Sequence, residues 1–202
     1  MRGFILHTQL VKEEDLVVTI LTENNILKLY RFYGARHSVI NIGYLIDFEI
    51  EKTIVNIDRL RNIMQIGFKF LLDNEKMFIW QNFIKMLYSH LFDIEEIDNF
   101  YFKLLINIIN EFDRNPKRVL IENYIKLLKF EGRLSKFECF LCELPIKNRV
   151  NLARGYLCAC ENCIPKTGFE IEKIKFLFKN EKTTLLNNQE IEELYKILSL
   201  GI

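Results

Sequence analysis

The chain has 202 residues, 50% of them hydrophobic and 17 of them phenylalanine, with only three prolines and eight glycines. That is ample apolar material for one large domain or two small ones, and it excludes a collagen-like or extensively disordered chain. A formal net charge of +1 excludes a strong whole-protein field, so nucleic-acid binding would need a local basic face.

The first part reads as short strands. Gly3-Phe4-Ile5-Leu6-His7-Thr8 leads to an acidic turn at Glu13-Glu14-Asp15, and Leu16-Val17-Val18-Thr19-Ile20-Leu21 follows as a β-branched run. A polar turn at Glu23-Asn24-Asn25 separates this run from residues 26–33, so the pair reads as a hairpin. Tyr44, Ile46, Phe48 and Ile50 then alternate with Asp47 and Glu49, the pattern of a half-buried strand, and residues 53–57 supply another β-branched run. Four or five strands in about 60 residues predict a small closed or partly open β-barrel, which protects its edges.

From about residue 66 the period changes to three and four. Phe68, Leu71, Leu72, Met77, Trp80, Phe83, Ile84, Leu87 and Leu91 read as helix, and Phe102, Leu105, Ile106, Ile109 and Phe112 continue the pattern to a stop at Asn115-Pro116. A third helix over 117–131 carries Leu120, Ile121, Tyr124, Leu127 and Leu128, with Gly132 near its end. These segments are expected to share one helical core with residues 191–198. Aromatic rings at helical spacing are read as core.

Cys139-x-x-Cys142 and Cys160-x-x-Cys163 offer four thiolates at spacings that suit a tetrahedral metal site. Cys158 is a fifth candidate, with a four-residue gap before Cys163; the two-residue gap of Cys160 makes the tighter knuckle. The bland alternative is a set of ordinary buried thiols. The stretch between the pairs holds Pro145 and Gly155 and few apolar runs, so it is expected to bury no core of its own without the metal. His7, His37 and His90 lie in different segments, and no catalytic Glu/His signature accompanies the cysteines, so the metal is read as structural zinc. The chain carries no P-loop, dinucleotide fingerprint, paired-histidine protease motif or serine elbow, and it is read as non-enzymatic.

Basic residues gather twice. Lys28, Arg31, Arg36 and His37 are interleaved with Tyr30, Phe32 and Tyr33, which offers phosphate contacts beside stacking surfaces. Strand alternation places Lys28 with Tyr30 and Arg31 with Tyr33, so not all face one ligand; the bland reading is a solvated strand beside core aromatics. Arg114, Lys117, Arg118, Lys126, Lys129, Arg133 and Lys136 are offset only by Glu122 and Glu131. Helical spacing lines Lys126, Lys129 and Arg133 along one stripe, suited to a phosphate track or to an acidic partner tail.

The order of these features resembles a known family. Gly3-Phe4-Ile5-Leu6-His7-Thr8, the run from Leu16 to Thr22, and Lys28-Leu29-Tyr30-Arg31-Phe32-Tyr33-Gly34-Ala35-Arg36 resemble the start of the bacterial RecO recombination-mediator family. Leu127-Leu128-Lys129-Phe130-Glu131-Gly132, followed by the two cysteine pairs with Gly155 between them, resembles that family's helix leading into its zinc module. The chain departs from the family at Asn25-Ile26, where a glycine-lysine turn is usual.

The resemblance implies an α+β protein: an oligonucleotide-binding barrel (OB-fold) at 1–65, a helical domain at 66–138 resumed at 166–202, and a zinc module at 139–165. It implies binding of single- and double-stranded DNA, annealing of complementary strands, and replacement of single-strand binding protein (SSB) by recombinase together with RecR. Barrel DNA contacts map to Lys28, Arg31 and Arg36, with His37 beside them, and zinc ligands to Cys139, Cys142, Cys160 and Cys163. The family's helical domain docks the SSB C-terminal tail, for which Lys126, Lys129 and Arg133 are the candidates here. With no basic apolar leader and no apolar run near 18 residues, a cytoplasmic, nucleoid-associated protein without a membrane partner is expected. The competing reading is a zinc-stabilised adaptor that binds only protein.

Overall fold

The computed structural model describes residues 1–134 and 136–202, which divide into two compact units, Met1–Asp113 and Arg114–Ile202. In the first unit five strands, β1 (Arg2–Lys12), β2 (Asp15–Leu21), β3 (Ile26–Arg31), β4 (Leu45–Glu51) and β5 (Arg59–Ile66), close into a barrel in the order β1-β2-β3-β5-β4. All neighbours run antiparallel except β3 and β5, which meet in parallel at Tyr30 and Arg59. Bulges in β1 and β5 bend these strands, the device that lets a small sheet curl onto itself. Alternate residues fill the interior, including Ile5, Val18, Ile20, Leu29, Ile46, Phe48 and Leu60. Gly3 is required where β1 crosses β2, because a Cβ there would overlap the Ile20 Cγ2 methyl.

Helices α1 (Asn74–His90) and α2 (Asn99–Glu111) complete this unit. Asp73 caps α1 by accepting the Lys76 N–H at 3.1 Å, and Asp98 caps α2 through the Phe100 N–H at 2.7 Å. Trp80 is fully buried among Phe4, Phe70, Phe83 and Phe112, and its indole N–H donates to the Gly43 carbonyl at 2.8 Å. That bond satisfies the ring's one polar atom inside an apolar cluster.

Two expectations shift here. Residues 53–57 form the tip of the β4–β5 hairpin, and the fifth strand begins at Arg59. Asp58 accepts the Thr53 N–H at 2.9 Å and the Lys52 ammonium at 2.7 Å, so local side-chain bonds close a turn in spite of the β-branched run. Helix α1 starts at Asn74 instead of near residue 66, because β5 runs to Ile66 and Phe70 is buried in the connecting turns.

The second unit contains α3 (Pro116–Phe130), α4 (Ile171–Asn180) and α5 (Asn188–Leu198) with a small sheet ordered β7-β6-β8. Its strands are β6 (Arg149–Leu152), β7 (Cys158–Ala159) and β8 (Phe169–Glu170). Leu120, Ile121, Tyr124, Leu127 and Leu128 of α3 are fully buried. A Schellman closure ends α3: Gly132 is left-handed at φ 67°, its N–H donates to the Lys129 carbonyl, and the Arg133 N–H reaches back to Leu128 at 2.8 Å. Arg118 ties the α4–α5 connection down, donating to the Thr183 and Leu186 carbonyls at 2.8 and 2.9 Å.

The helices expected in one domain divide between the units: α1 and α2 fall in the first, α3, α4 and α5 in the second. The stretch between the cysteine pairs packs against the helices of its unit. Val150, Leu152, Tyr156, Cys158 and Ala159 are buried, and the Tyr156 hydroxyl donates to the Leu194 carbonyl of α5 at 3.0 Å. Short strands and one large ring supply what a long apolar run would have.

Candidate metal centre and basic barrel face

Two tight turns bring the four sulfurs of Cys139, Cys142, Cys160 and Cys163 within 4.8 Å of one another. In the first turn the Cys139 carbonyl accepts the Glu143 N–H at 2.7 Å, and in the second the Cys160 carbonyl accepts the N–H groups of Cys163 and Ile164 at 3.2 and 3.1 Å. Zinc–sulfur bonds of about 2.3 Å place the corners of a tetrahedron about 3.8 Å apart. The Cys142 and Cys160 sulfurs stand 3.8 Å apart, so the cage has the size and donor set of a four-thiolate zinc site. Cys158 lies outside it, buried on β7 opposite Leu152. Cys160 is thus the third member.

The environment favours thiolate at one of the four sulfurs, Cys139. Burial works to raise the Cys139 thiol, yet backbone N–H groups of Cys160, Cys142 and Leu141 converge on it and hold it down to about 6. Cys163 is pushed up to about 12 by its contacts with Cys160 and Cys142 and by burial. The sulfurs therefore share protons as a group, and a divalent cation is what allows all four to ionise together.

Sequence reasoning missed the residues that shape the second turn. Asn151 of β6 is buried, and its amide donates to the Ile164 and Lys166 carbonyls at 3.0 and 2.9 Å, fixing the chain just after Cys163. Arg149 donates to the Gly168 carbonyl at 2.9 Å, and Glu161 accepts the Gly168 N–H at 3.3 Å. The only sequence signal was a lone asparagine between two apolar residues of a strand.

On the barrel, the four basic candidates part company. Lys28 points out from β3, with its ammonium 3.0 Å from Asp93 and 5.9 Å from the Phe92 ring centre. The Asp93 hydrogen bond holds its pKa above the ordinary lysine value. On the same outer wall His7 stacks on Tyr88, ring centres 4.5 Å apart. Arg31 closes the end of β3: it donates to the Leu60 carbonyl at 3.0 Å and lies 3.4 Å from His37 Nε2. Burial, then the nearby Arg61, lowers its pKa, and its Nε is buried without a partner. Arg36 pairs with Glu14 and lies over the Tyr33 ring at 5.4 Å. Arg31 and His37 therefore meet at the end of β3, Arg36 lies just beyond it on Glu14 and Tyr33, and Lys28 pairs with Asp93 instead. Strand alternation does not extend to Tyr33, which leaves the strand at φ 51°.

In the second unit Lys126 lies 3.4 Å from Asn123 Oδ1, Lys129 pairs with Glu181 at 2.7 Å, and Arg133 lies 3.7 Å from Glu131. Because α3 ends at Phe130, Arg133 sits past the Schellman turn and off the helical stripe expected for it.

A closed five-stranded barrel in this strand order, followed by helices and a four-cysteine cage, defines an OB-fold protein, a class that holds oligonucleotides or oligosaccharides across β2 and β3 and the β1–β2 and β4–β5 loops. Within that class the first part of the chain is specific: residues 1–71 match the family model described as RecO N terminal. No curated protein matches the chain. No helix among the described residues is long and apolar enough to cross a membrane.

Proposed function

We propose that the chain is a RecO-type recombination mediator: it binds single- and double-stranded DNA, anneals complementary strands, and acts with RecR to replace SSB by recombinase at the nucleoid in the cytoplasm. The match of residues 1–71, which span the whole barrel, carries this reading. The work is physical rather than catalytic. Cations at the barrel end screen strand charge, and exposed rings hold bases without reading sequence. Structural zinc in the cage of Cys139, Cys142, Cys160 and Cys163 fixes the two turns of the second unit. Lys126 and Lys129, with Arg133 just beyond, are the proposed dock for the acidic SSB tail.

The adaptor reading has one observation in its favour. Lys28, Arg36, Lys52, Arg59 and Arg61 each have a carboxylate partner, which reduces the charge left for phosphate. Fluorescence annealing of complementary strands coated with SSB decides between the two. Acceleration that falls in a Lys28→Gln/Arg31→Gln/Arg36→Gln variant supports the mediator, and no acceleration by folded, zinc-loaded protein supports the adaptor.

A further inference from the structure

We propose that Phe32 and Tyr33, with the guanidinium groups of Arg59 and Arg36 laid over them, form a stacking site for unpaired nucleobases of a single strand. The inference rests on the DNA-binding reading above and gives it a location.

Both rings are held out to solvent, 41% and 60% exposed, immediately after β3. Arg59 lies over Phe32 at 5.2 Å and Arg36 over Tyr33 at 5.4 Å, so each ring sits beside a guanidinium group. The rings are also pre-organised. Tyr33 adopts φ 51°, a left-handed conformation that costs a bulky residue energy and persists only when its surroundings impose it. Asp15 imposes it, accepting the Tyr33 N–H at 2.8 Å on one oxygen and the Tyr30 hydroxyl at 2.5 Å on the other. The Tyr30 ring in turn braces Phe32 edge-on, with ring centres 5.0 Å apart at 71°. One carboxylate at the tip of the β1–β2 hairpin thus sets both rings.

A groove of about 520 Å³ runs beside them, lined by Lys12, Glu13, Glu14, Asp15, Phe32 and Tyr33. That volume admits a base. The three carboxylates exclude a phosphate from the groove but not an uncharged base, while the two arginines on the rings, paired with Glu14 and Glu51, can reach the backbone only by exchanging those carboxylates for phosphate. Duplex DNA keeps its bases stacked internally and has none to offer, so the site selects single strands.

The test uses an oligonucleotide carrying 2-aminopurine, whose fluorescence reports stacking, with anisotropy reporting binding. The expected result is a change in 2-aminopurine fluorescence on binding that is lost in Phe32→Leu/Tyr33→Leu. Affinity for single strands should fall roughly tenfold per ring, with the salt slope unchanged. Asp15→Asn, which keeps both aromatic side chains but weakens the bonds that set them, should weaken the fluorescence change more than the binding. If the oligonucleotide binds with full affinity to the ring-substituted protein, or binds wild type without any stacking signal, the site is wrong while the DNA-binding reading stands. If folded, zinc-loaded protein binds no DNA, both are overturned.

Discussion

The rings of Tyr124 on α3 and Tyr156, which lies between the two cysteine pairs, meet edge to face with centres 4.9 Å apart and planes at 82°. Their hydroxyls each donate to a carbonyl, Tyr124 to Gly201 and Tyr156 to Leu194, both at 3.0 Å. Burial pushes both phenols well above their ordinary value; for Tyr124, Arg133 and Arg154 oppose that rise in part.

A raised folded-state pKa contributes stability that is complete below the unfolded value of about 10 and is lost as pH rises beyond it. Alkaline titration should therefore show the phenolate absorbance of these two tyrosines appearing together with the loss of helical circular dichroism. Tyr156→Phe should lower stability at neutral pH by about 1 kcal/mol and flatten the alkaline limb.

Replacing any one of Cys139, Cys142, Cys160 or Cys163 by serine should abolish stoichiometric zinc and lower the melting temperature. Cys158→Ser, outside the cage, should keep its zinc. Metal content by atomic emission on purified variants separates the two outcomes; zinc loss on Cys158→Ser with retention on Cys160→Ser would reverse the assignment.

Asn151→Leu removes both donors to Ile164 and Lys166 and leaves two carbonyls short of a partner, a cost of about 1–3 kcal/mol. The expected signature is faster zinc release to a chromogenic chelator with the metal stoichiometry unchanged at saturation. A release rate equal to wild type would confine Asn151 to ordinary strand packing.

The barrel cations should differ in kind. Lys28→Gln, which loses an exposed pair with Asp93, should change stability by less than about 1 kcal/mol and DNA affinity little. Arg36→Gln should weaken single-strand binding and reduce its salt dependence by about one unit. Arg31→Gln should chiefly destabilise, since its guanidinium holds the Leu60 carbonyl and is partly buried. Equal losses of affinity across all three would place the DNA track along β3 itself.

Lys126→Gln/Lys129→Gln should lower affinity for an acidic SSB-tail peptide in fluorescence polarisation, and Arg133→Gln should add less than either, lying past the end of α3. An unchanged affinity moves the dock elsewhere.

What the sequence disclosed follows from which interactions are local. The alternation of Tyr44, Ile46, Phe48 and Ile50 and the pairing of Cys139 with Cys142 and Cys160 with Cys163 are short-range, and both are found in the structure. Helix α4 was equally legible, since Ile171, Ile174, Leu177 and Phe178 recur at helical spacing and are buried, but its period was not read. The turn at 53–58 was hidden, because Asp58 outweighs the β-branched residues through bonds that no propensity scale contains. Asp15 looked like one acid of an ordinary hairpin tip. Its hold on Tyr30 and Tyr33 arises only when β2 and β3 lie side by side. The partition of helices between the two units was invisible for a similar reason: an apolar stripe says that a helix is covered, not by what.

Tyr156 is rooted among the helices of the second unit while the chain on either side of it returns to the cysteine cage. With zinc bound there, metal affinity and the integrity of that helical core draw on a single equilibrium. Each tenfold rise in free zinc above the dissociation constant then deepens the folded well by about 1.4 kcal/mol. Starvation for the metal would show first as a shortened lifetime of this unit under proteolysis, with the barrel's own fold spared.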